Sequence, residues 1–342
     1  MRVAVDAAGG DFAPQEIVSG ALRAAAEFPL IGRMYLVGPA SRIREAVRQS
    51  GMRVPDKVEF VDAPEVVDMG EAPAAAVRRK KDSSIVRAVD LVREGTADAV
   101  FSAGNTGAMV AAATLRLGRL DGISRPAIAT VIPAPGKPFV LIDAGANTDC
   151  EALWLAEFAV MGNVYAREIL GVDNPRIGLV SVGGEESKGN QATRAAFTML
   201  EKSTLNFTGN VEAGDMFGGK VDVAVCDGFV GNVILKTSES VAESVSGLLK
   251  EAVSDNPLAM LGGVLLKGAF SRIRRRCDPA AYGGAPLLGV KGVCIIGHGA
   301  SRADAVYNAL RVVRDVEVHR VNQRIVEEIR ELKERIEGQD NE

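Results

Sequence analysis

Short apolar runs rich in Val and Ile recur along the chain, separated by stretches rich in Ala and charge, and this alternation constrains the fold more than any other feature. Strands are expected near 2–6, 33–37, 57–62, 97–101, 127–132, 138–143, 176–182, 221–226 and 292–296. Helices are expected over 15–27, 40–50, 83–94, 105–117, 151–169 and 190–202. Several strand runs are apolar without alternation, as in strands covered on both faces. Strand following helix in this rhythm predicts a mainly parallel α/β sheet wrapped by helices. With 342 residues, 47% of them hydrophobic, the chain can bury a large core. No internal repeat and no linker rich in Pro, Gly and Ser divides it. The reading is one large α/β/α unit over 1–338, with a short disordered tail at 339–342.

Two regions break the rhythm. In 237–276, Val241, Val245, Leu248, Leu249 and Ala252 repeat at helical spacing until Pro257. A charge-free patch, LAMLGGVLL at 258–266, comes next, then Lys267, Arg272, Arg274, Arg275 and Arg276. The segment reads as an inserted amphipathic helix, an apolar tip and a basic cluster. At the C-terminus Val318, Val321, Ile325, Ile329, Leu332 and Ile336 predict one long amphipathic helix ending near Gly338.

The net charge of −4 argues against a dedicated nucleic-acid binder. No charged-then-apolar leader precedes the first strand, and no run reaches the roughly 20 apolar residues that span a bilayer. Cys150, Cys226, Cys277 and Cys294 form no CxxC pair, which suits a reducing cytoplasm.

In an open parallel sheet, ligands bind beyond the carboxyl ends of the strands. Six such loops carry Gly together with Asn, Asp, Lys or His. They are Asp6-Ala-Ala-Gly9-Gly10-Asp11, Ser102-Ala-Gly104-Asn105-Thr106, Asp143-Ala-Gly-Ala-Asn147, Gly183-Gly-Glu-Glu-Ser-Lys188-Gly-Asn190, Asp227-Gly-Phe-Val-Gly-Asn232 and Gly297-His298-Gly299. Singly, each is ordinary turn chemistry. Together, on one expected edge of the sheet, they predict a site for a small anion or nucleotide, with amides at helix starts as donors. Gly184-x4-Gly189 lacks the Lys-Ser/Thr of a P-loop, and GxGxxG, GxSxG and HExxH do not occur. Two histidines and scattered cysteines make a zinc site improbable, and no metal is expected. Cys226 and Cys294 lie in apolar strands; Cys150, before a helix start, is the better nucleophile candidate but has no histidine nearby in sequence.

Over about 2–313 the sequence resembles the acyl-acyl-carrier-protein:phosphate acyltransferase family of bacterial phospholipid synthesis. The shared stretches are DAAGGDFAP (6–14), VRRKKDSSI (77–85), SAGNTGA (102–108), DAGANTDC (143–150), GEESKGN (184–190), VDVAVCDGFVGNVILKT (221–237) and YGGAPLLGVKG (282–292). Ala8 and Phe12 stand where the family's first loop commonly carries Met and His, and Ser240 replaces a usual Gly. Phe12 cannot transfer a proton, so any acid–base role of that histidine is lost or lies elsewhere.

The resemblance implies a three-layer α/β/α sandwich like that of isopropylmalate dehydrogenases and phosphotransacetylases, acting as a homodimer. It implies transfer of a long-chain acyl group from acyl carrier protein to inorganic phosphate, with no cofactor and no metal. A downstream glycerol-phosphate acyltransferase would use the acyl phosphate.

Phosphate attack on a thioester needs a held dianion, a stabilised oxyanion and fixed geometry. On this expectation Lys188 and the amides near Gly104, Asn105 and Thr106 hold phosphate, with Asp6, Gly9, Gly10, Asp11 and Asn147 lining the seat. Asn232 polarises the thioester oxygen. Asp227 or His298 handles protons. Two basic surfaces, Arg78-Arg79-Lys80-Lys81 and the cluster Arg272, Arg274, Arg275 and Arg276, are open as docks for an acidic carrier protein. The 258–266 patch has two readings, a dimer contact or a membrane-touching tip through Leu258, Leu261 and Leu265, peripheral at the inner face of the membrane. Rival readings are a phosphotransacetylase using short acyl-coenzyme A, a dehydrogenase of the isopropylmalate type, and a non-catalytic scaffold for carrier protein.

Overall fold

A computed structural model describes residues 1–254, 257–277 and 283–339. β1 (Arg2–Asp6), α1 (Gln15–Glu27), β2 (Arg33–Gly38), α2 (Ala40–Ser50) and β3 (Val58–Asp62) open the chain. Next come α3 (Pro73–Arg79), α4 (Ser84–Arg93), β4 (Ala99–Ser102) and α5 (Thr106–Ala112), which a π-helical turn extends over Ala113–Leu117. The middle holds β5 (Ala127–Ile132), β6 (Phe139–Ile142), α6 (Ala152–Leu170), β7 (Ile177–Val180), α7 (Gln191–Glu201), β8 (Phe207–Val211), α8 (Ala213–Phe217) and β9 (Val223–Val225). Two long helices, α9 (Gly228–Ser254) and α10 (Pro257–Cys277), lead to β10 (Ala285–Leu288), β11 (Val293–Ile296), α12 (Ala303–Val318) and α13 (Val321–Gln339).

The strands form one sheet in the order β3-β2-β1-β4-β11-β10-β5-β6-β9-β7-β8. β3, β2, β1, β4 and β11 run parallel. β10 is antiparallel to β11 and to β5, and β6 is antiparallel to β5. β6, β9, β7 and β8 are again parallel to one another. The sheet is therefore mainly parallel but built of two blocks that point opposite ways.

Side chains alternate between two helical layers, because successive Cβ atoms of a strand face opposite sides. Val3 and Val5 pack with Ile17 and Leu22 of α1 and Leu310 of α12, while Ala4 faces Val86 and Val89 of α4. In the second block Val140 and Ile142 pack with Phe158 and Val164 of α6. Phe139 and Leu141 face Met216 and Val221 on the other side. Both faces are covered, which is why the strand sequences read as unbroken apolar runs.

Several expectations change. The six loops do not share one edge: the reversal between β5 and β6 sends the carboxyl ends of β1, β4 and β11 to one edge and those of β6, β9 and β7 to the other. β8 and β10 are not legible in the sequence, the first because Thr208, Gly209 (φ +91°) and Asn210 leave it no apolar run, the second because it contains Pro286. Proline is tolerated there because Ala285 and Pro286 pair with β11, and pairing to β5 begins only at Leu287. Residues 228–232 are not loop but the first turns of α9, capped by Asp227, whose Oδ1 accepts the Val230 amide at 2.8 Å.

The 258–266 patch is likewise helical. It lies on α10, which packs back on α9 so closely that a Cβ on Gly263 would stand 2.2 Å from a methyl of Val253. The side chains of Leu258, Arg274, Arg275 and Arg276 fall outside the described residues. The C-terminal helix is two helices, broken at Arg320 (φ +53°), so Val318 ends α12 and is exposed rather than part of the apolar stripe of α13. Gln339 belongs to α13, and 340–342 lie outside the described residues. No described helix is long and apolar enough to cross a membrane.

Candidate active site on two sheet edges

At the first edge Asp6 ends β1 with only 1% of its surface exposed. Its Oδ2 accepts the Ser102 hydroxyl at 2.7 Å, and its Oδ1 accepts the Ala8 amide at 3.2 Å. The Gly104 amide donates to Ser102 Oγ at 3.1 Å. Burial pushes the Asp6 carboxyl up from its usual range, and hydrogen bonds from Ser84, Ser102 and the Ala8 and Gly9 amides oppose that shift. Gly9 has no room for a side chain: a Cβ would lie 2.5 Å from Asp6 Oδ2 and 2.9 Å from the Gly104 nitrogen. The Asp11 amide donates to the Gly299 carbonyl at 2.8 Å, tying the first loop to the last. His298 is exposed, and its Nδ1 accepts the Ala300 amide at 3.2 Å.

Asn105 sits at this edge but is occupied. Its Oδ1 caps α5 through the Ala108 amide at 3.0 Å. Its Nδ2 donates to the carbonyls of Asp68, Met69 and Glu71 at 3.4, 2.9 and 3.3 Å. The side chain clamps the 68–71 loop rather than reaching for an anion. Lys80 closes the same loop by pairing with Glu71 and donating to the Val66 carbonyl at 2.6 Å, and Arg79 pairs with Glu71 at 2.6 Å. Lys80, with the Asp68 amide, brings the Glu71 carboxyl down to about 2. Of the basic run only Arg78 and Lys81 are exposed and make no ion pair among the described residues.

At the second edge Asp143 follows β6 and is fully buried. Its Oδ1 accepts the amides of Ile128, Gly145 and Ala146, each at 3.0 Å. Its Oδ2 accepts both the amide and the Nδ2 of Asn147, each at 2.8 Å. Burial raises its carboxyl, and these donors oppose the rise. The start of α9 presses on this loop: the Gly228 amide donates to the Asn147 carbonyl at 2.6 Å, and a Cβ on Gly231 would lie 1.9 Å from the Asp143 carbonyl oxygen. Asn232, one residue on, lies against Gly145, where a Cβ would stand 3.6 Å from its own Cβ.

The 183–190 loop leaves β7 on the same edge, since β9 lies between β6 and β7 and is parallel to both. The Asn210 Nδ2 holds this loop through the Glu185 carbonyl at 2.8 Å, and Asn190 caps α7 through the Thr193 amide at 2.9 Å. Lys188 is exposed, its stem over Gly183, and it makes no ion pair among the described residues. The thiols nearby are poor nucleophiles: burial pushes Cys150 up to about 12 and Cys226 well above the usual thiol range.

The structure thus brings Lys188, Asn147, Asp227 and Asn232 to one edge. It places Asp6, Gly9, Gly10, Asp11, Gly104, Asn105, Thr106 and His298 on the other. Asp143 and Glu71 are not among the residues that the sequence marks for a site. An aspartate directly after an apolar strand and before a Gly-Ala-Asn turn was the signal for the first. For Glu71, no local pattern pointed to its partner nine residues on.

A family model described as fatty acid synthesis protein matches residues 1–324. A phosphate acyltransferase from Pelotomaculum thermopropionicum is 51% identical over 337 residues, 98% of this chain and 96% of the relative. One from Leptospira biflexa is 46% identical over 336 residues, 97% and 98% of the two chains. Among solved structures, a phosphotransacetylase from Streptococcus pyogenes superposes with a TM-score of 0.58 at 20% identity, covering 93% of this chain and 94% of that one. A phosphotransacetylase from Staphylococcus aureus gives 0.59 at 16% identity with the same coverage. At those identities the likeness speaks for the fold alone.

Proposed function

The chain belongs to the fatty acid synthesis protein family and is an acyltransferase acting on phosphate, and from that premise we propose how it works and with what partners. The acyl donor is a long-chain thioester of acyl carrier protein and the acceptor is inorganic phosphate. A phosphate oxygen attacks the thioester carbonyl carbon, the C–S bond breaks, and the proton of hydrogen phosphate ends on the departing sulfur. Acyl phosphate and the free carrier thiol result, with no redox change.

Lys188, on a glycine-flanked loop, supplies a cation for the phosphate. Asn232, on the first turns of α9, supplies an amide donor to the thioester oxygen, where charge develops. One such donor is typically worth about 3–4 kcal/mol. Asp227 already caps α9 with one oxygen, which leaves the other to orient or accept a proton. His298 lies on the opposite edge, so the proton step at Asn232 does not use it within one chain. The observation that carries the reading is the convergence of the β6, β9 and β7 carboxyl ends, which sets Asn147, Asn232 and Lys188 along one edge.

Carrier protein is acidic, so it docks on basic groups free of internal partners. Arg78 and Lys81 meet that condition, and Arg272 on α10 is exposed as well. The α9–α10 hairpin, with exposed Leu261, Val264 and Leu265, supports peripheral contact with a membrane, where a long-chain product is retained. The enzyme works as a homodimer.

The direct test is incubation with acyl carrier protein thioester and labelled phosphate, with hydroxylamine trapping the product. Lys188→Ala and Asn232→Ala should each lower turnover about 100-fold or more while circular dichroism stays unchanged. Normal turnover in both variants would remove this edge from the mechanism. Faster reaction with an acyl-coenzyme A than with the carrier thioester would replace the donor.

A further inference from the structure

We infer that Asp143 is a positioning residue for acyl transfer: its carboxylate folds the 143–147 loop into the surface against which the start of α9 sets Asn232. The inference rests on the reading that Asn232 polarises the thioester oxygen.

A fully buried carboxylate is an expensive way to fill a core, and it persists where its donors compensate. Asp143 forms no ion pair among the described residues, and its compensation comes from neighbouring amides. Four of its five hydrogen-bond donors belong to residues 145–147, so the carboxylate spends its capacity on one short loop. The fifth, the Ile128 amide at 3.0 Å, anchors that loop to β5. Asn147 Nδ2 also donates to the Pro126 carbonyl at 2.8 Å, a second tie to the same strand.

That loop is the seat of α9. The helix can approach only because residues 228 and 231 are glycines. A Cβ on Gly228 would lie 2.8 Å from Asn147 backbone atoms and 2.9 Å from Asp143 Oδ2. Gly145 has φ +142°, a conformation a side chain disfavours, and it faces Asn232. A shift of the loop therefore carries α9 and the Asn232 amide with it. A displacement of about 1 Å in a donor is enough to cost about 100-fold in rate.

Asp143→Asn keeps the volume and one acceptor but turns the other oxygen into a donor facing two N–H groups of Asn147. It should lower kcat about 100-fold while KM for the acyl carrier thioester stays within about twofold, the signature of a contact made in the transition state. It should also be non-additive with Asn232→Ala: the double variant should turn over no more slowly than Asn232→Ala alone. Gly145→Ala keeps the Asp143 side chain but strains the φ +142° backbone that donates to it, and it should show the same kcat loss and the same non-additivity if Asp143→Asn fails to fold. Normal kcat in either folded variant overturns the inference, as does a double variant in which the two losses multiply. If Asn232→Ala itself turns over normally, the reading of the site falls first. A loss at Asn232→Ala with multiplying effects sinks only the role of Asp143.

Discussion

Asp6 ends β1 and Asp143 follows β6, and each accepts the amides of the loop that comes next. The sequences, Asp-Ala-Ala-Gly-Gly and Asp-Ala-Gly-Ala-Asn, lead to α1 and α6, which pack in the same helical layer. One residue type thus shapes the strand-to-helix turn in both blocks of the sheet. Burial raises both carboxyls, so the cost of holding them charged is absent below the unfolded carboxylate range and is complete once pH has risen through the folded value, while the loop amides, which bind the charged form, offset part of it. Glu71 has the opposite sign. Lys80 and the Asp68 amide depress it to about 2 from 4.5, so its clamp is fully present above about pH 4.5 and is lost as pH falls toward 2. Urea denaturation of the native chain and of Glu71→Gln should therefore give a constant difference near neutral pH that shrinks below about pH 4.5. A difference unchanged down to pH 3 would mean that Glu71 contributes through something other than its charge. Such a clamp is invisible in sequence, because Glu71, Lys80 and Asn105 are joined only by the fold.

At the scale of elements, the strands and helices were largely legible, because apolar runs flanked by charged helical stretches have few other solutions. Their directions were also written in the chain. Only 133–138, six residues, join β5 to β6, and a parallel crossover needs roughly a dozen or more. That link forces a reversal and sends the two groups of glycine loops to opposite edges. The start of α9 misled for a different reason: Asp-Gly-Phe-Val-Gly reads as turn chemistry, yet here the glycines serve the close approach to Asp143. The stripe of α13 follows the sequence pattern from Val321 onward, with Val321, Ile325, Ile329 and Leu332 all buried. Around the stripe, Lys333 reaches the fully buried Glu157 at 3.1 Å, and Glu328 meets Arg167 at 2.6 Å and Asn163 at 3.0 Å. Ile329→Ala leaves a cavity between α13 and α6 and should cost about 2–5 kcal/mol in thermal or urea unfolding. A loss below about 0.5 kcal/mol, the level of a surface change, would show α13 to be loosely docked.

For the molecule as a whole, the apolar surface is unevenly distributed. Leu248 on α9 and Met260, Leu261, Val264, Leu265 and Leu266 on α10 are each more than half exposed, in a chain whose sheet is otherwise covered on both faces. Soluble chains seldom leave so much apolar surface together without a partner. Lys267 and Arg272 on the same helix are exposed beside it and suit an anionic lipid surface, although the chain carries a net charge of −4. Membrane contact and copy-to-copy contact predict different losses. Leu261→Glu combined with Leu265→Glu removes two side chains worth about 1.5 kcal/mol each on transfer from water, so affinity for anionic vesicles should fall about 100-fold. Turnover of carrier-bound substrate in solution and the sedimentation coefficient should stay unchanged. If vesicle binding persists while the assembly falls apart, the hairpin is a contact between copies. Its apolar face then belongs to an interface between copies and not to a contact with lipid.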